Sequence, residues 1–263
     1  VETTVKSLNI LKNKKVINVD IHVKKLRYLV PHLDIKNIIN YKITNLRRIA
    51  KYIIIEFDNV KSLIIHLGMS GRLKIVKPNV TLNKHDHLVF KFNNLKLIFN
   101  DPRRFGFVDI VNSDKINNIS YIKRLGIDAL DNKLSVDYLF NKFKNSQVLI
   151  KQLLLNQYIV AGIGNIYACE ILYDAKISPL RKGSSLKRSH IGTILKSSRR
   201  ILRKAIKYGG SSINDYVSPD GILGNFQKNF KVYGRAGYKI KGCEIKKVVL
   251  HGRSTFFCPN IQK

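Results

Sequence analysis

Acidic residues and cysteines are scarce in this 263-residue chain, and long apolar runs are missing. Three cysteines, Cys169, Cys243 and Cys258, are too few to form a disulfide scaffold for a chain of this length. They point to a reducing, intracellular setting, so a cytoplasmic location is expected. No stretch approaches 18 uninterrupted apolar residues, so no membrane span is visible. The opening VETTVK is mixed and charged, without the layout of a secretory leader. The shortage of acid has the largest consequence. Seventeen Asp and Glu stand against 48 Lys and Arg, a net charge of 48 − 17 = +31. Such a charge repels itself, and a polyanionic partner would relieve it. Surface lysines can accumulate through A+T-rich codon usage, but arginine doublets at 47–48, 103–104 and 199–200 are local clusters, which favours nucleic acid.

What is present falls into three textures. VETTVKSLNILKNKK has the spacing of an amphipathic helix, with acid early and base late. From about 16 to 124, runs such as VINVDIHV, KYIIIEF, KSLIIHL, RLKIV, HLVFKF and LKLIF alternate with turn signals, as in a sandwich or barrel. After Leu125, DYLFNKFKNSQVLIKQLLL, NIYACEILYDA and HIGTILKSSRRILRKAIKYGG read as helices, the last stopped by glycine. From 223, GNFQKNFKVYGRAGYKI and KKVVLHGRSTFFC return to short strands.

The stretch AGIGNIYACE, Ala161–Glu170, interrupts the helical part. Two glycines two residues apart mark a sharp turn or a close backbone approach, since each costs about 1 kcal/mol in a helix interior. A glycine turn followed by Asn165 and a new helix has the layout of an anion site, with exposed N–H groups and the helix dipole directed at a phosphate.

GIGNIYACE is similar to the helix–two-turn–helix signature of the formamidopyrimidine-DNA glycosylase and endonuclease VIII family. VETTVK, RRIAKYIIIEF, IIHLGMSGRLKI, KHDHLVF, NDPRRFG, GIGNIYACEILYDAKISP, GGSSINDYVSPDG and FKVYGRAG all resemble that family, in its order. HLGMSG and DPRRFG favour the branch that acts on oxidised purines. The resemblance implies an α+β multidomain fold: an N-terminal β-sandwich catalytic domain (1–124), a helix–two-turn–helix DNA-binding domain (125–222) and a C-terminal β-hairpin finger (223–263). It also implies a monomer that binds duplex DNA carrying oxidised bases or abasic sites.

Enzymes of this family excise oxidised bases and cut the abasic strand. Their nucleophile is the secondary amine of an N-terminal proline, which attacks the sugar C1′ and forms a Schiff-base-type iminium that permits elimination. The damaged base is flipped out and side chains fill its place. By resemblance, Lys51 works at the sugar-phosphate, and Arg253 grips phosphate and serves δ-elimination. Met69, Arg103 and Phe105 fill the void; a thioether and a ring can stack, and a guanidinium can pair with the orphaned base. His85, Lys144, Gly164 and Asn165 contact phosphates, Lys151 lines the lesion site, and GGSSINDYVSPDG closes over the flipped base.

Two departures stand out. The family opens with a proline–glutamate pair five residues before its Val-Glu-Thr, whereas this sequence starts at Val1. A clipped fragment or misassigned start is expected, activity of the chain as it stands is doubtful, and the alternative is an inert DNA-binding protein on the same scaffold. Glu2 is not the catalytic glutamate; it reads as a helix-start acid. The family's finger usually holds one zinc through four thiolates. Here Ile240, Cys243, Cys258 and Ile261 occupy those positions, so Cys243 and Cys258 are remnants of a zinc site. A zincless finger held by Val248, Leu250, Phe256 and Phe257 is expected, with no cofactor.

Overall fold

The computed structural model describes residues 1–211 and 224–263. Most of GGSSINDYVSPDG, the segment expected to close over a base, lies outside the described residues. Packing gathers the chain into two compact units, Val1–Lys123 with Tyr208–Gln227, and Arg124–Lys207 with Lys228–Lys263.

The first unit is a β-sandwich. One antiparallel sheet has the order β2 (Ile43–Ile49), β3 (Tyr52–Phe57), β4 (Lys61–His66), β8 (Phe107–Asn112). The other has the order β1 (Asn18–Ile21), β6 (Asp86–Phe92), β7 (Leu95–Asn100), β5 (Arg72–Val76). The two-residue side-chain period sends Ile53, Ile55, Leu63, Ile65 and Val108 from the first sheet into one core with Val19, Leu88, Phe90, Leu97 and Phe99 from the second. Helix α1 (Glu2–Leu8) adds Val5 and Leu8 to that core. Its Glu2 carboxylate accepts a 2.6 Å bond from Arg48 Nε, a role that a simple helix-start acid does not have. Two short helices, α2 (His32–Lys36) and α3 (Ser120–Lys123), also belong to this unit.

Helices dominate the second unit. Helix α4 (Val136–Phe143) starts on Ser135, whose hydroxyl accepts from the Tyr138 N–H at 3.1 Å, a side-chain cap. Helices α5 (Ile150–Leu155) and α6 (Asn165–Asp174) flank the glycine turn. Helix α7 (Arg188–Lys207) buries Ile191, Ile194, Leu195, Ile201, Leu202 and Ala205 at helical spacing. Beyond it Gly209 and Gly210 take φ of 75° and 83°, the expected glycine stop. Two-residue strands β9 (Ile127–Asp128) and β10 (Val160–Ala161) pair in parallel.

The tail of this unit folds as two small hairpins, β11 (Lys239–Ile240) with β12 (Cys243–Glu244), and β13 (Lys246–Leu250) with β14 (Arg253–Phe257). His251 and Gly252, with φ of 47° and 70°, make the two-residue turn between β13 and β14. Positive φ at both turn residues matches the twist of the strands, and glycine adopts it without penalty. Val248 and Leu250, expected to hold this hairpin, are only half-buried. The correction has a simple cause: the inward face belongs to β14, where Phe256 packs with Cys169, Val232 and Ile245. Cys243 and Cys258 are joined by a disulfide across a separation of 15 residues. A cross-link closing a loop of that length contributes roughly 3 kcal/mol by restricting the unfolded chain.

Glu170, 3% exposed, holds the chain leading into the tail. Its carboxylate accepts from the N–H groups of Lys231 (2.8 Å), Val232 (2.9 Å) and Tyr233 (2.8 Å). Charge-assisted bonds of this kind contribute more than neutral ones, and their loss leaves buried donors unsatisfied. Glu170→Ala should therefore destabilise the protein by at least about 3 kcal/mol, read as a lower urea midpoint.

Candidate nucleic-acid interface

In the first unit, strand register gathers the expected residues at one end of a sheet. Tyr52 pairs with His66 across β3 and β4, and His66 pairs with Phe107 across β4 and β8. Lys51 immediately precedes Tyr52, the Gly68–Met69 turn follows His66, and Arg103–Gly106 lead into Phe107. Three connections therefore emerge side by side. The three rings support them: His66 stacks on Phe107 at 5.5 Å and 14°, with Tyr52 5.1 Å from His66.

The turns are locked to each other through backbone. Gly68 has φ +64°, and a Cβ placed there would lie 2.5 Å from Gly106 N and from Phe105 C, so no other residue fits. Asp101, fully buried, accepts from Ser70 Oγ at 2.6 Å and from the Gly106 N–H at 2.7 Å. Ser70 Oγ in turn accepts from the Arg103 N–H at 3.2 Å. On this frame Met69 and Phe105 are 75% and 45% exposed, and the Arg103 guanidinium lies 4.7 Å from the Phe105 ring centroid. Met69, Arg103 and Phe105 thus stand on two adjoining turns, on a scaffold that leaves their side chains outside.

Lys51, half-buried, sits in the β2–β3 turn beside Ala50, whose carbonyl accepts from Arg48 Nη1 at 2.9 Å. Arg48 therefore ties this turn to Glu2 on α1. His85, half-buried, contributes its carbonyl to the Asp101 N–H at 3.1 Å, and the buried His87 ring bonds the Asp101 carbonyl at 3.0 Å. Neither Asp101 nor His66 was singled out from the sequence, although each opens a quoted motif, DPRRFG and HLGMSG. An Asp-Pro step opening an arginine-rich turn is the signal that could have identified Asp101 as a brace.

In the second unit, Gly162 takes φ 97° and its N–H donates to Gln157 Oε1 at 2.9 Å. Gln157 Nε2 donates to the carbonyls of Leu155 and Ile163 at 2.9 and 3.0 Å, so one amide side chain braces the glycine turn. Gly164 caps α6. Asn165 Nδ2 donates to the Ser254 carbonyl at 2.9 Å, one residue from the exposed Arg253 at the hairpin turn. Its second amide hydrogen remains for another acceptor, and Asn165 Oδ1 is buried with no hydrogen-bond partner. Lys144 is exposed at the end of α4.

Lys151 differs from expectation. It is 1% exposed, and its ammonium donates to Thr255 Oγ1 at 2.7 Å and to the Ser254 carbonyl at 3.3 Å. Burial, with Arg253 adding repulsion, holds its pKa below that of an ordinary lysine. The charge is spent inside the protein, on the strand that carries Arg253, because a buried ammonium must be paired with acceptors.

A family zinc does not fit the tail. Ile240 and Ile261 offer no ligand atom, and Cys243 and Cys258 are bonded to each other. His251 lies at the far end of the hairpin beside Gln152, and no group of three or more metal-ligating side chains occurs among the described residues.

His66 generates a test. Burial, then Lys51 and Arg27, lower its pKa from 6.5 to about 4, and its Nδ1 accepts from the Gly68 N–H at 3.1 Å, which suits a neutral ring. Between these values the unfolded chain binds a proton that the folded chain refuses. Stability should therefore fall as pH drops from 6.5 toward 4. His66→Phe should flatten that window when urea midpoints are compared across it.

Comparisons with known proteins agree with this geometry. Residues 1–108 match the family described as "Formamidopyrimidine-DNA glycosylase N-terminal domain", and residues 125–217 match "Formamidopyrimidine-DNA glycosylase H2TH domain". The formamidopyrimidine-DNA glycosylase of Zymomonas mobilis is 43% identical, covering 100% of this chain and 98% of its own length. That of Rickettsia canadensis is 41% identical over 93% of this chain and 90% of its own. Among solved structures, Lactococcus lactis Fpg in complex with a Fapy-dG containing DNA superposes with a TM-score of 0.92 at 33% identity, covering 100% of this chain and 98% of that one. The same enzyme with an abasic site containing DNA gives 0.92 at the same identity and coverage. With both domain signatures in order and relatives matched over nearly their whole length, the chain belongs to the formamidopyrimidine-DNA glycosylase family.

Proposed function

We propose that this protein binds duplex DNA, flips out oxidised purines such as formamidopyrimidine and 8-oxoguanine, excises them, and cuts the abasic strand through a Schiff-base intermediate. The observation that carries this reading is the exposed trio Met69, Arg103 and Phe105 on two turns locked through Gly68 and Asp101. A protein that only tracks phosphates has no use for an exposed thioether and ring held rigidly beside a guanidinium. A base-flipping enzyme needs them, because the hole in the stack must be refilled and the orphaned base paired.

The remaining roles follow from chemistry. Arg253 projects from a tight turn and supplies a fork of donors for a phosphate. The Gly164–Asn165 corner, with N–H groups at a helix start and a spare amide hydrogen, takes another. His85 and Lys144 add phosphate contacts, and Lys51 works at the sugar of the abasic site. Lys151 acts indirectly, by seating β14. The proposed chemistry takes its nucleophile from the secondary amine of an N-terminal proline, as the family resemblance implies. No metal takes part.

The test is reductive trapping. A polypeptide in which Pro-Glu-Leu-Pro-Glu precedes Val1, incubated with abasic duplex and borohydride, should form a covalent adduct, and replacing that first proline should abolish it. Absence of adduct with sound duplex binding would favour the inert DNA-binding reading. Met69→Ala should slow excision of the damaged base at least tenfold and leave affinity for intact duplex unchanged.

A further inference from the structure

We propose that Cys243 and Cys258 form a thiol–disulfide clip that does for this hairpin what a metal would otherwise do, and that its oxidation state sets how firmly Arg253 is presented. The DNA-gripping role of Arg253 rests on the function proposed above; the clip itself does not.

The two cysteines bracket the whole β13–β14 hairpin, and their Cα atoms lie 6.1 Å apart, within the ordinary span of a disulfide. Both are buried, at 2% and 0% exposure. The ends they join are held unequally. The Cys258 N–H donates to Gln262 Oε1 at 2.8 Å, and Gln262 Nε2 donates to the Ile177 carbonyl at 2.9 Å, so this end is fixed beyond the end of α6. Strand β14 is further secured by Phe256 in its apolar cluster and by the bonds from Lys151 and Asn165. Cys243, in contrast, sits on a two-residue strand paired with another two-residue strand. Beyond it β13 exposes Lys246, Lys247 and Val249. The sulfur–sulfur bond adds the anchorage of Cys258 to what β13 already gains from Ile245 in the Phe256 cluster and from its ladder with β14. Ile240, packed on the Phe256 cluster, and Ile261 fill with apolar surface the places where thiolates would reach a metal.

Formation of the clip balances with glutathione disulfide as oxidant. One cysteine thiolate attacks the glutathione disulfide and releases one glutathione. The second attacks the protein sulfur of the mixed disulfide and releases another. Two protein thiols become one disulfide, and their protons end on two glutathione thiols.

The full-length protein is equilibrated in glutathione buffers from fully reducing to fully oxidising. Alkylation and mass spectrometry should count three free thiols at one extreme and Cys169 alone at the other. Tryptic cleavage after Lys246 and Lys247 should be at least tenfold faster in the reduced protein, with the same midpoint as the thiol count. A C243S/C258S variant should be cleaved at the fast rate at every potential; the wild-type titration stands by itself if that variant does not fold. Three free thiols at every potential, cleavage indifferent to thiol count, or one equivalent of zinc by atomic emission would each overturn the clip. Affinity for a duplex carrying a tetrahydrofuran abasic analogue, at fixed salt, should weaken at least threefold on reduction. If cleavage follows the thiol count while neither state binds that duplex, the clip stands and the proposed function falls.

Discussion

The Ser254 carbonyl is the point on which the second unit depends. It receives the Asn165 amide at 2.9 Å and the Lys151 ammonium at 3.3 Å, so two helices on either side of the glycine turn meet one strand at one oxygen. Lys151 also donates to Thr255 Oγ1 at 2.7 Å. Without Ser254 and Thr255, Lys151 would be a buried cation with no acceptor, a situation costing several kcal/mol. Without Asn165 the start of α6 would lose its bond to the strand that begins at Arg253. A side chain expected to meet DNA is instead used to place the one that can.

The first unit solves a similar problem with backbone and a carboxylate. Three exposed side chains must stand in fixed relation, yet exposed side chains cannot fix themselves by packing. Their turns are therefore fixed from beneath, by the approach of Gly68 to Gly106 and by Asp101 bridging Ser70 and the Gly106 N–H. The aromatic row Tyr52, His66 and Phe107 lies under both turns. Precision at the surface is obtained from rigidity one layer below it.

That division also explains what the sequence revealed. Residues with a local signature were legible: the glycine corner at 162–164, the alternating strands of the sandwich and the glycine stop after α7. Met69, Arg103 and Phe105 were identified because short motifs carry them. Asp101, Glu170 and the buried state of Lys151 were not identified, because their partners lie elsewhere in the chain or along the backbone, which no periodicity reports. Lys151 lies over a hundred residues from Thr255. Its position in LIKQLLL, three residues before Leu154, was the available hint that it faces inward. Val248 and Leu250 misled for a related reason. Alternation put Val248 and Leu250 on the more covered face of β13, with Val249 outside, but it does not report depth, and the deeply buried residues belong to β14.

Internal pairing also shows why the charge remains a statement about partners. Of 17 acids, Glu170 is committed to three backbone N–H groups and Asp101 to a hydroxyl and an N–H. Asp86, 3% exposed, is shared among Lys74, Asn83 and Asn100, whose bonds outweigh burial and hold its pKa below the usual carboxylate range. Other acids each meet one cation and one amide, as Glu56 does with Arg47 and Asn45, and Asp20 with Lys91 and Asn18. Even with all 17 acids counted against the 48 cations, a charge of +31 is left, so most of the positive charge must be balanced from outside the chain. Small counterions do this at an entropic cost that a polyanion relieves by releasing them, with a salt dependence that rises with each phosphate engaged. The scarcity of acid and the use of what acid there is inside the folded units both leave the surface suited to nucleic acid.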